Sequence, residues 1–211
     1  MNLPNKISLT RICMIPVFVV AFFLDGILPF NYGIAAIIFA LAACTDFIDG
    51  HIARSRGLVT NLGKFLDPIA DKVLVATAMM LLLTMKDTLF VAFGQASAAI
   101  YITTAIAICI ILARELIISA FRQIAAANGV IMAAEKLGKY KTAFQDIAIF
   151  VLILAADIKA PEMYAVPWNA YVAWTGFALF AVATVLTIVS GISYVVKHKE
   201  VLMDKKAEEN K

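Results

Sequence analysis

Charged residues are scarce in this chain of 211 residues. Asp, Glu, Lys and Arg make up 16% of the sequence, whereas apolar residues make up 63% and the mean hydropathy is +0.90. A soluble domain has about 25% charged residues and about half apolar residues. The composition therefore excludes an ordinary soluble protein and predicts an integral membrane protein. We expect one domain over residues 1–196, followed by a short charged cytoplasmic tail over 197–211.

Cysteine is also rare, and repeats are absent. Cys13, Cys44 and Cys109 all lie in apolar runs and do not have the spacing of metal ligands. They are most simply small buried residues, and they predict no disulfide framework. No internal repeat or low-complexity segment divides the chain.

The apolar residues occur in runs separated by short bursts of charge. A helix needs about 20 apolar residues to cross the hydrocarbon core of a bilayer. The runs predict an all-α protein with six transmembrane helices, near 9–28, 32–50, 66–85, 96–118, 142–158 and 168–196. The predicted outer turns hold only Lys86 and Lys159 of the 18 basic residues, so both termini are expected to be cytoplasmic.

Four aspartates stand out against this apolar background, in the pairs Asp46-x2-Asp49 and Asp67-x3-Asp71. Spacings of three and four place each pair on one face of its helix. Carboxylates at membrane depth are costly unless a compensating charge or a function retains them. The predicted topology puts all four at the cytoplasmic ends of the second and third spans.

Carboxylate oxygens are the ligands that Mg²⁺ and Mn²⁺ prefer, and four of them suit two ions about 3.5–4 Å apart. The guanidinium of Arg54 suits a phosphate. The competing interpretation is a set of solvated helix-end aspartates paired with Arg54, Lys64 and Lys72. We favour a functional site because glycines at 50, 57 and 63 are interleaved with the carboxylates, which permits close approach of a ligand to the backbone. Carboxylates, cations and an arginine together indicate phosphoryl transfer.

The full pattern Asp46-x2-Asp49-Gly50-x2-Ala53-Arg54-x8-Gly63-x3-Asp67-x3-Asp71 resembles the signature of the CDP-alcohol phosphatidyltransferase family at every motif position. The family's fold agrees with six spans, and it is usually a homodimer. The resemblance implies transfer of a phosphatidyl group from a CDP-linked lipid to an alcohol, with CMP released. No nucleic-acid partner is expected.

The resemblance also implies roles for the motif residues. Two ions, Mg²⁺ or Mn²⁺, would be held by Asp46, Asp49, Asp67 and Asp71. Asp71 would also accept the proton of the attacking hydroxyl. The CDP portion would be bound by Gly50, Ala53, Arg54 and Gly63.

A basic cluster in the second half predicts that the acceptor itself carries a phosphate. We expect Arg114, Lys139 and Lys141 to bind that phosphate, whereas for Arg122 a site role and a topological role stay open. A helix beginning near Thr142 would add its positive end to the site. Glu115 is expected to orient Arg114 rather than to bind metal.

Residues 2–11, 113–126 and 138–145 resemble the bacterial phosphatidylglycerophosphate synthases, a subgroup of the same family. This implies CDP-diacylglycerol and sn-glycerol 3-phosphate as substrates, and a site at the cytoplasmic face of the bacterial inner membrane in contact with membrane lipid.

Two kinds of alternative stay open at this point. Within the family, a phosphatidylinositol-phosphate synthase also needs a basic acceptor pocket, and a cardiolipin-type synthase is a further rival. A cation-coupled transporter would predict carboxylates near the bilayer midplane and repeated halves. The aspartates here cluster at one face and the halves differ, which disfavours transport.

Overall fold

The protein is helical in the computed structural model. Residues 3–25, 27–56, 61–127, 136–157 and 168–197 are described, with side chains for 8–25, 27–45, 69–125, 137–157 and 168–197. These residues form no strand, which confirms the predicted all-α class for this part of the chain. Their helices are α1 (Leu3–Phe22), α2 (Asn31–Arg56), α3 (Asn61–Thr84), α4 (Ser97–Ala127), α5 (Lys136–Ala155) and α6 (Trp168–Lys197), with a 3-10 helix (Phe90–Ala96) before α4.

The first helix ends earlier than predicted. The predicted span continued to residue 28, but α1 ends at Phe22. The side-chain amide of Asn31 donates a hydrogen bond to the Phe22 carbonyl at 2.8 Å, and so satisfies a carbonyl that has no partner within the helix. The predicted span was too long because it included the apolar residue Ile27. This residue lies in the turn after α1 and is 75% exposed.

Two other helices extend beyond their predicted spans. α4 continues to Ala127 rather than to residue 118, and α5 begins at Lys136 rather than at residue 142. Both extensions cover charged positions, which hydropathy assigns to loops although charged residues form helices readily. The 31 residues of α4 span about 46 Å, which exceeds a hydrocarbon core of about 30 Å.

The helices pack around one main apolar core. The most extensive interfaces join α5 to α6 and α1 to α2. At Gly176 on α6 an added Cβ would lie 2.9 Å from both Cγ and Cδ2 of Leu152 on α5, so this glycine permits the close contact of the two helices. The largest fully buried apolar side chains include Phe18, Phe39, Leu74, Phe90, Ile111, Ile149 and Phe180.

A second, smaller cluster joins the C-terminal ends of α4 and α6. Its buried members are Ile118, Phe121 and Tyr194, and the rings of Phe121 and Tyr194 meet edge to face at 6.0 Å. This cluster is separate from the main core among the described side chains.

The outer surface carries many exposed apolar side chains, among them Ile102, Val185 and Ile192, each more than half exposed. Soluble proteins rarely expose contiguous apolar surface on this scale. Two helical runs, Phe90–Ala125 and Trp168–Lys197, have the length and hydropathy of membrane spans. The crossing of the membrane by all six helices stays a prediction.

Candidate active site

The four motif aspartates lie on two neighbouring helices. Asp46 and Asp49 are in the C-terminal half of α2, and Asp67 and Asp71 are near the start of α3, so the helical spacing expected for both pairs is present in the backbone. α2 and α3 are in contact. The side chains at 46–56 and 61–68 lie outside the described residues. The predicted ligands Asp46, Asp49 and Asp67 and the predicted CDP-binding residues are therefore placed by their backbone alone.

The carboxylate of Asp71 is described, and it lies at a cavity of about 230 Å³ between α3, α4 and α5. This volume is below the usual range of about 300–1,000 Å³ for drug-sized ligands, so it suits a small molecule. The apolar lining includes Val75, Met79, Leu112 and Leu116. The polar lining comprises Asp71, Lys72, Glu115, Lys141, Thr142 and Gln145.

Lys141 and Lys139, which were grouped by sequence, occupy different environments. Lys141 is buried, lines the cavity, and its ammonium contacts Oε1 of Glu115. Lys139 is exposed and does not line the cavity. Residues two apart on a helix point about 200° apart, which explains the separation. The structure therefore places one of the two lysines at the cavity.

The expectation that a helix begins near Thr142 is wrong. α5 begins at Lys136, so Thr142 lies in its second turn and is remote from the unpaired N–H groups of the helix end. The Thr142 hydroxyl donates a hydrogen bond to the carbonyl of Gly138 at 3.0 Å. The positive end of the α5 dipole is thus not at Thr142.

Arg114 on α4 contacts both its neighbour Glu115 and a residue of α6. Its Nη1 lies 2.9 Å from Oε1 of Glu115, the contact that the sequence predicted, and its Nη2 donates to Oγ of Ser190 on α6 at 3.0 Å. An added Cβ at Gly191 would lie 3.0 Å from Cγ of Arg114. Arg114 is not among the cavity-lining residues, and its predicted contact with the acceptor phosphate stays a prediction.

Arg122 lies farther along α4 and is exposed. Its Nε donates to the hydroxyl of Tyr194 at 3.3 Å, and its guanidinium lies 5.5 Å from the centre of that ring. These contacts attach Arg122 to the small cluster between α4 and α6. A role for Arg122 in acceptor binding likewise stays a prediction.

Gln145 is a cavity residue that the sequence did not assign to the site. It is 2% exposed, and its Nε2 lies 3.9 Å from the sulfur of Met79, which is a weak acceptor. Its Oε1 has no hydrogen-bond donor among the described residues. The sequence signal was its position one helical turn after Lys141, within an otherwise apolar run.

The metal-binding donors expected at this site are the four motif carboxylates. No group of three or more metal-binding side chains is found among the described residues, and the side chains of Asp46, Asp49 and Asp67 are outside that set. Glu115 is paired with Lys141 and Arg114, and Asp71 is the motif carboxylate that is described at the cavity. The chemistry of the donors, oxygen only, fits Mg²⁺ or Mn²⁺.

These features define a helical protein with an aspartate pair on each of two contacting helices and a cavity lined by both acidic and basic side chains. The chain belongs to the CDP-alcohol phosphatidyltransferase family, whose family model matches residues 1–189.

Several relatives of this chain carry the name CDP-diacylglycerol–glycerol-3-phosphate 3-phosphatidyltransferase. The protein of that name from Bacillus subtilis (strain 168) is 37% identical over 212 aligned residues, which cover 95% of this chain and 97% of the relative. The one from Salmonella typhimurium is 36% identical over 207 residues, covering 96% and 98%. The one from Rickettsia bellii is 35% identical over 193 residues, covering 92% and 93%.

Proposed function

We propose that this protein transfers the phosphatidyl group of CDP-diacylglycerol to sn-glycerol 3-phosphate. A hydroxyl oxygen of glycerol 3-phosphate attacks the phosphorus next to the diacylglycerol, and the bond from that phosphorus to the CMP oxygen breaks. The products are phosphatidylglycerophosphate and CMP. Family membership and the shared name of relatives at 35–37% identity support this proposal.

The observation that carries the proposal is the cavity shared by Asp71 on α3 and Lys141 on α5. A carboxylate can accept the proton of an attacking hydroxyl, and a nearby ammonium can bind the phosphate of the same small acceptor. The two groups come from different helices and line one space, so one molecule can contact both. The cavity size suits glycerol 3-phosphate better than it suits the lipid donor.

In the proposed site Asp46, Asp49, Asp67 and Asp71 hold two Mg²⁺ or Mn²⁺ ions. When bound, these ions neutralise the negative charge of the transferring phosphoryl group and of the departing CMP. Asp71 in addition takes the hydroxyl proton. The helical placement of both aspartate pairs and the contact between α2 and α3 support this assignment.

The nucleotide part of the donor is assigned to the C-terminal end of α2 and the start of α3. Gly50, Ala53, Arg54 and Gly63 have small side chains or, at Arg54, a guanidinium suited to phosphate oxygens. Lys141 and Lys139 are assigned to the acceptor phosphate, with Lys141 in direct contact. Arg114 and Arg122 remain candidates for the same role.

We also propose that all six helices cross the bacterial inner membrane, with both termini and the site at the cytoplasmic face. The two apolar runs of span length and the exposed apolar surface support membrane residence. The clustering of Lys and Arg supports the orientation. A homodimer is the proposed assembly, and cross-linking of the protein in intact membranes would test it.

The function is tested by CMP release from the purified protein in detergent with CDP-diacylglycerol and Mg²⁺. Separate reactions contain glycerol 3-phosphate, inositol 1-phosphate or phosphatidylglycerol as the acceptor. We expect turnover with glycerol 3-phosphate alone. Turnover with another acceptor would support phosphatidyl transfer but show that the acceptor assignment is wrong. Absence of CMP release from folded protein with every acceptor would overturn the proposed function.

A further inference from the structure

A row of polar side chains connects the cavity to α6. The ammonium of Lys141 contacts Oε1 of Glu115, and the same oxygen lies 2.9 Å from Nη1 of Arg114. Nη2 of Arg114 in turn donates to Oγ of Ser190 at 3.0 Å. Two cations thus share one carboxylate oxygen, and only Glu115 and Lys141 of these residues line the cavity.

Lys141 depends on this carboxylate for its position. Its side chain is 4% exposed, and a buried ammonium is unfavourable unless an anion is close to it. Lysine has a flexible stem of four carbons, so without a fixed partner its ammonium can occupy many positions. Glu115 supplies the partner from the neighbouring helix α4.

Glu115 is itself held by Arg114, which is not among the residues that line the cavity. The guanidinium of Arg114 is planar and holds its two contacts in a set geometry. The backbone of α6 passes close to this side chain at Gly191, where a Cβ would lie 3.0 Å from Cγ and 3.4 Å from Nε of Arg114. α6 therefore limits the positions that Arg114 can take.

We propose that Glu115 is a positioning residue for acceptor binding: it holds the Lys141 ammonium at the cavity, and Arg114, which is itself held by Ser190 of α6, supports Glu115. This inference rests on the proposed function, because the group to be bound is the phosphate of the acceptor. It assigns α6, which lines no part of the cavity, an indirect role in acceptor affinity.

The first test is a kinetic cycle with E115Q, K141A and the double variant. E115Q keeps the size of the side chain and removes its charge. Loss of a charged hydrogen bond corresponds to a change of about 10-fold or more, so E115Q should raise the KM for glycerol 3-phosphate by about that factor with little change in kcat.

In the K141A background the E115Q change should have no further effect, because Glu115 acts through Lys141. Independent, multiplying effects would overturn the proposal and place Glu115 in direct contact with a substrate. If the unaltered protein uses another acceptor, the same cycle is measured with that acceptor.

A second test does not depend on turnover. Folded protein is treated with an amine-acylating reagent, and the labelling rate of each lysine is measured by mass spectrometry. Lys141 should react at least about 10-fold faster in E115Q than in the unaltered protein, whereas exposed Lys139 serves as an internal reference. An unchanged rate at Lys141 would overturn the proposal even if the proposed function holds.

Two further variants distinguish the effect of the Glu115 carboxylate and its Arg114 partner from the effect of other contacts nearby. S119A removes a hydroxyl that donates to the backbone carbonyl of Glu115 at 2.6 Å, and it should leave the labelling of Lys141 unchanged. G191A displaces Arg114 without altering any charge, and it should accelerate the labelling of Lys141 and raise the acceptor KM. Equal labelling in G191A and the unaltered protein would remove α6 from the proposal.

Discussion

The carboxylate of Asp157 accepts a hydrogen bond from the backbone N–H of Gly33, which lies 124 residues earlier in the chain. Gly33 is in the first turn of α2, where N–H groups have no partner within the helix, and Asp157 follows the end of α5. A negative charge at a helix N-terminus is also favourable. This contact joins α2 to α5 at the end of the bundle opposite the aspartate motif.

Replacing Asp157 with Ala should therefore destabilise the fold. Loss of a capping group costs about 0.5–2 kcal/mol, which lowers Tm by a few degrees in a protein of this size. Thermal unfolding in detergent measures the effect. Asp87→Ala removes an exposed aspartate and is the matched control, and equal Tm values for the two variants would contradict the assigned role.

Gly176→Ala should also destabilise, through crowding. The new Cβ would lie 2.9 Å from Leu152, and overpacking of this kind costs about 1–3 kcal/mol. At Gly138 on α5 an added Cβ would meet no atom within 4 Å among the described residues beyond the adjacent helix backbone, so Gly138→Ala should be neutral or stabilise by up to about 1 kcal/mol. The same unfolding measurement compares the pair. A stable Gly176→Ala variant would show that α5 and α6 are less closely packed.

Asp71→Asn should abolish turnover while the protein stays folded and still binds CDP-diacylglycerol. The amide keeps the size of the side chain but cannot accept the hydroxyl proton, and loss of a general base typically costs about 10²–10⁴-fold. CMP release measures the rate, and binding of the lipid nucleotide is measured separately. Normal activity would exclude Asp71 as the base.

Lys141→Ala and Lys139→Ala should mainly raise the acceptor KM, and the effect should be larger for Lys141. Lys141 lines the cavity, whereas Lys139 is exposed. A lost contact between an ammonium and a phosphate corresponds to about 1.5–3 kcal/mol, or about 10- to 100-fold in affinity. Unchanged acceptor KM with weaker nucleotide binding would mean that the phosphate site lies elsewhere.

Removal of divalent cations should stop CMP release. Four carboxylates without cations repel one another and the phosphates of the donor, so the site would bind its substrate poorly. Activity is measured after chelation and again after addition of Mg²⁺ or Mn²⁺. Full activity in the chelated protein would exclude the proposed cofactor.

The sequence predicted features that depend on neighbours along the chain. The helical spacing of Asp67 and Asp71 is local, and so is the apolar character of each run, so both could be inferred without a structure. The contact between Arg114 and Glu115 joins adjacent residues and was predicted as well. The resemblance to the family rested on the aspartate signature, which is also a local feature of the sequence.

Features that depend on distant partners could not be inferred. The support of Arg114 by Ser190 and Gly191 joins residues 76 or more positions apart. The end of α1 depends on the side chain of Asn31 rather than on hydropathy. The different environments of Lys139 and Lys141 could be inferred only if the start of α5 at Lys136 were known. Hydropathy did not predict this start because the segment is charged.

The separate cluster of Ile118, Phe121 and Tyr194 has a consequence for how cooperatively the protein unfolds. Since it shares no buried side chain with the main core among the described residues, its opening does not require the core to unfold. We therefore expect the C-terminal ends of α4 and α6 to form a subglobal unit that separates and rejoins while the cavity persists. Amide hydrogens there should exchange with solvent before those around Ile149, and the Arg122–Tyr194 contact should break in the same event.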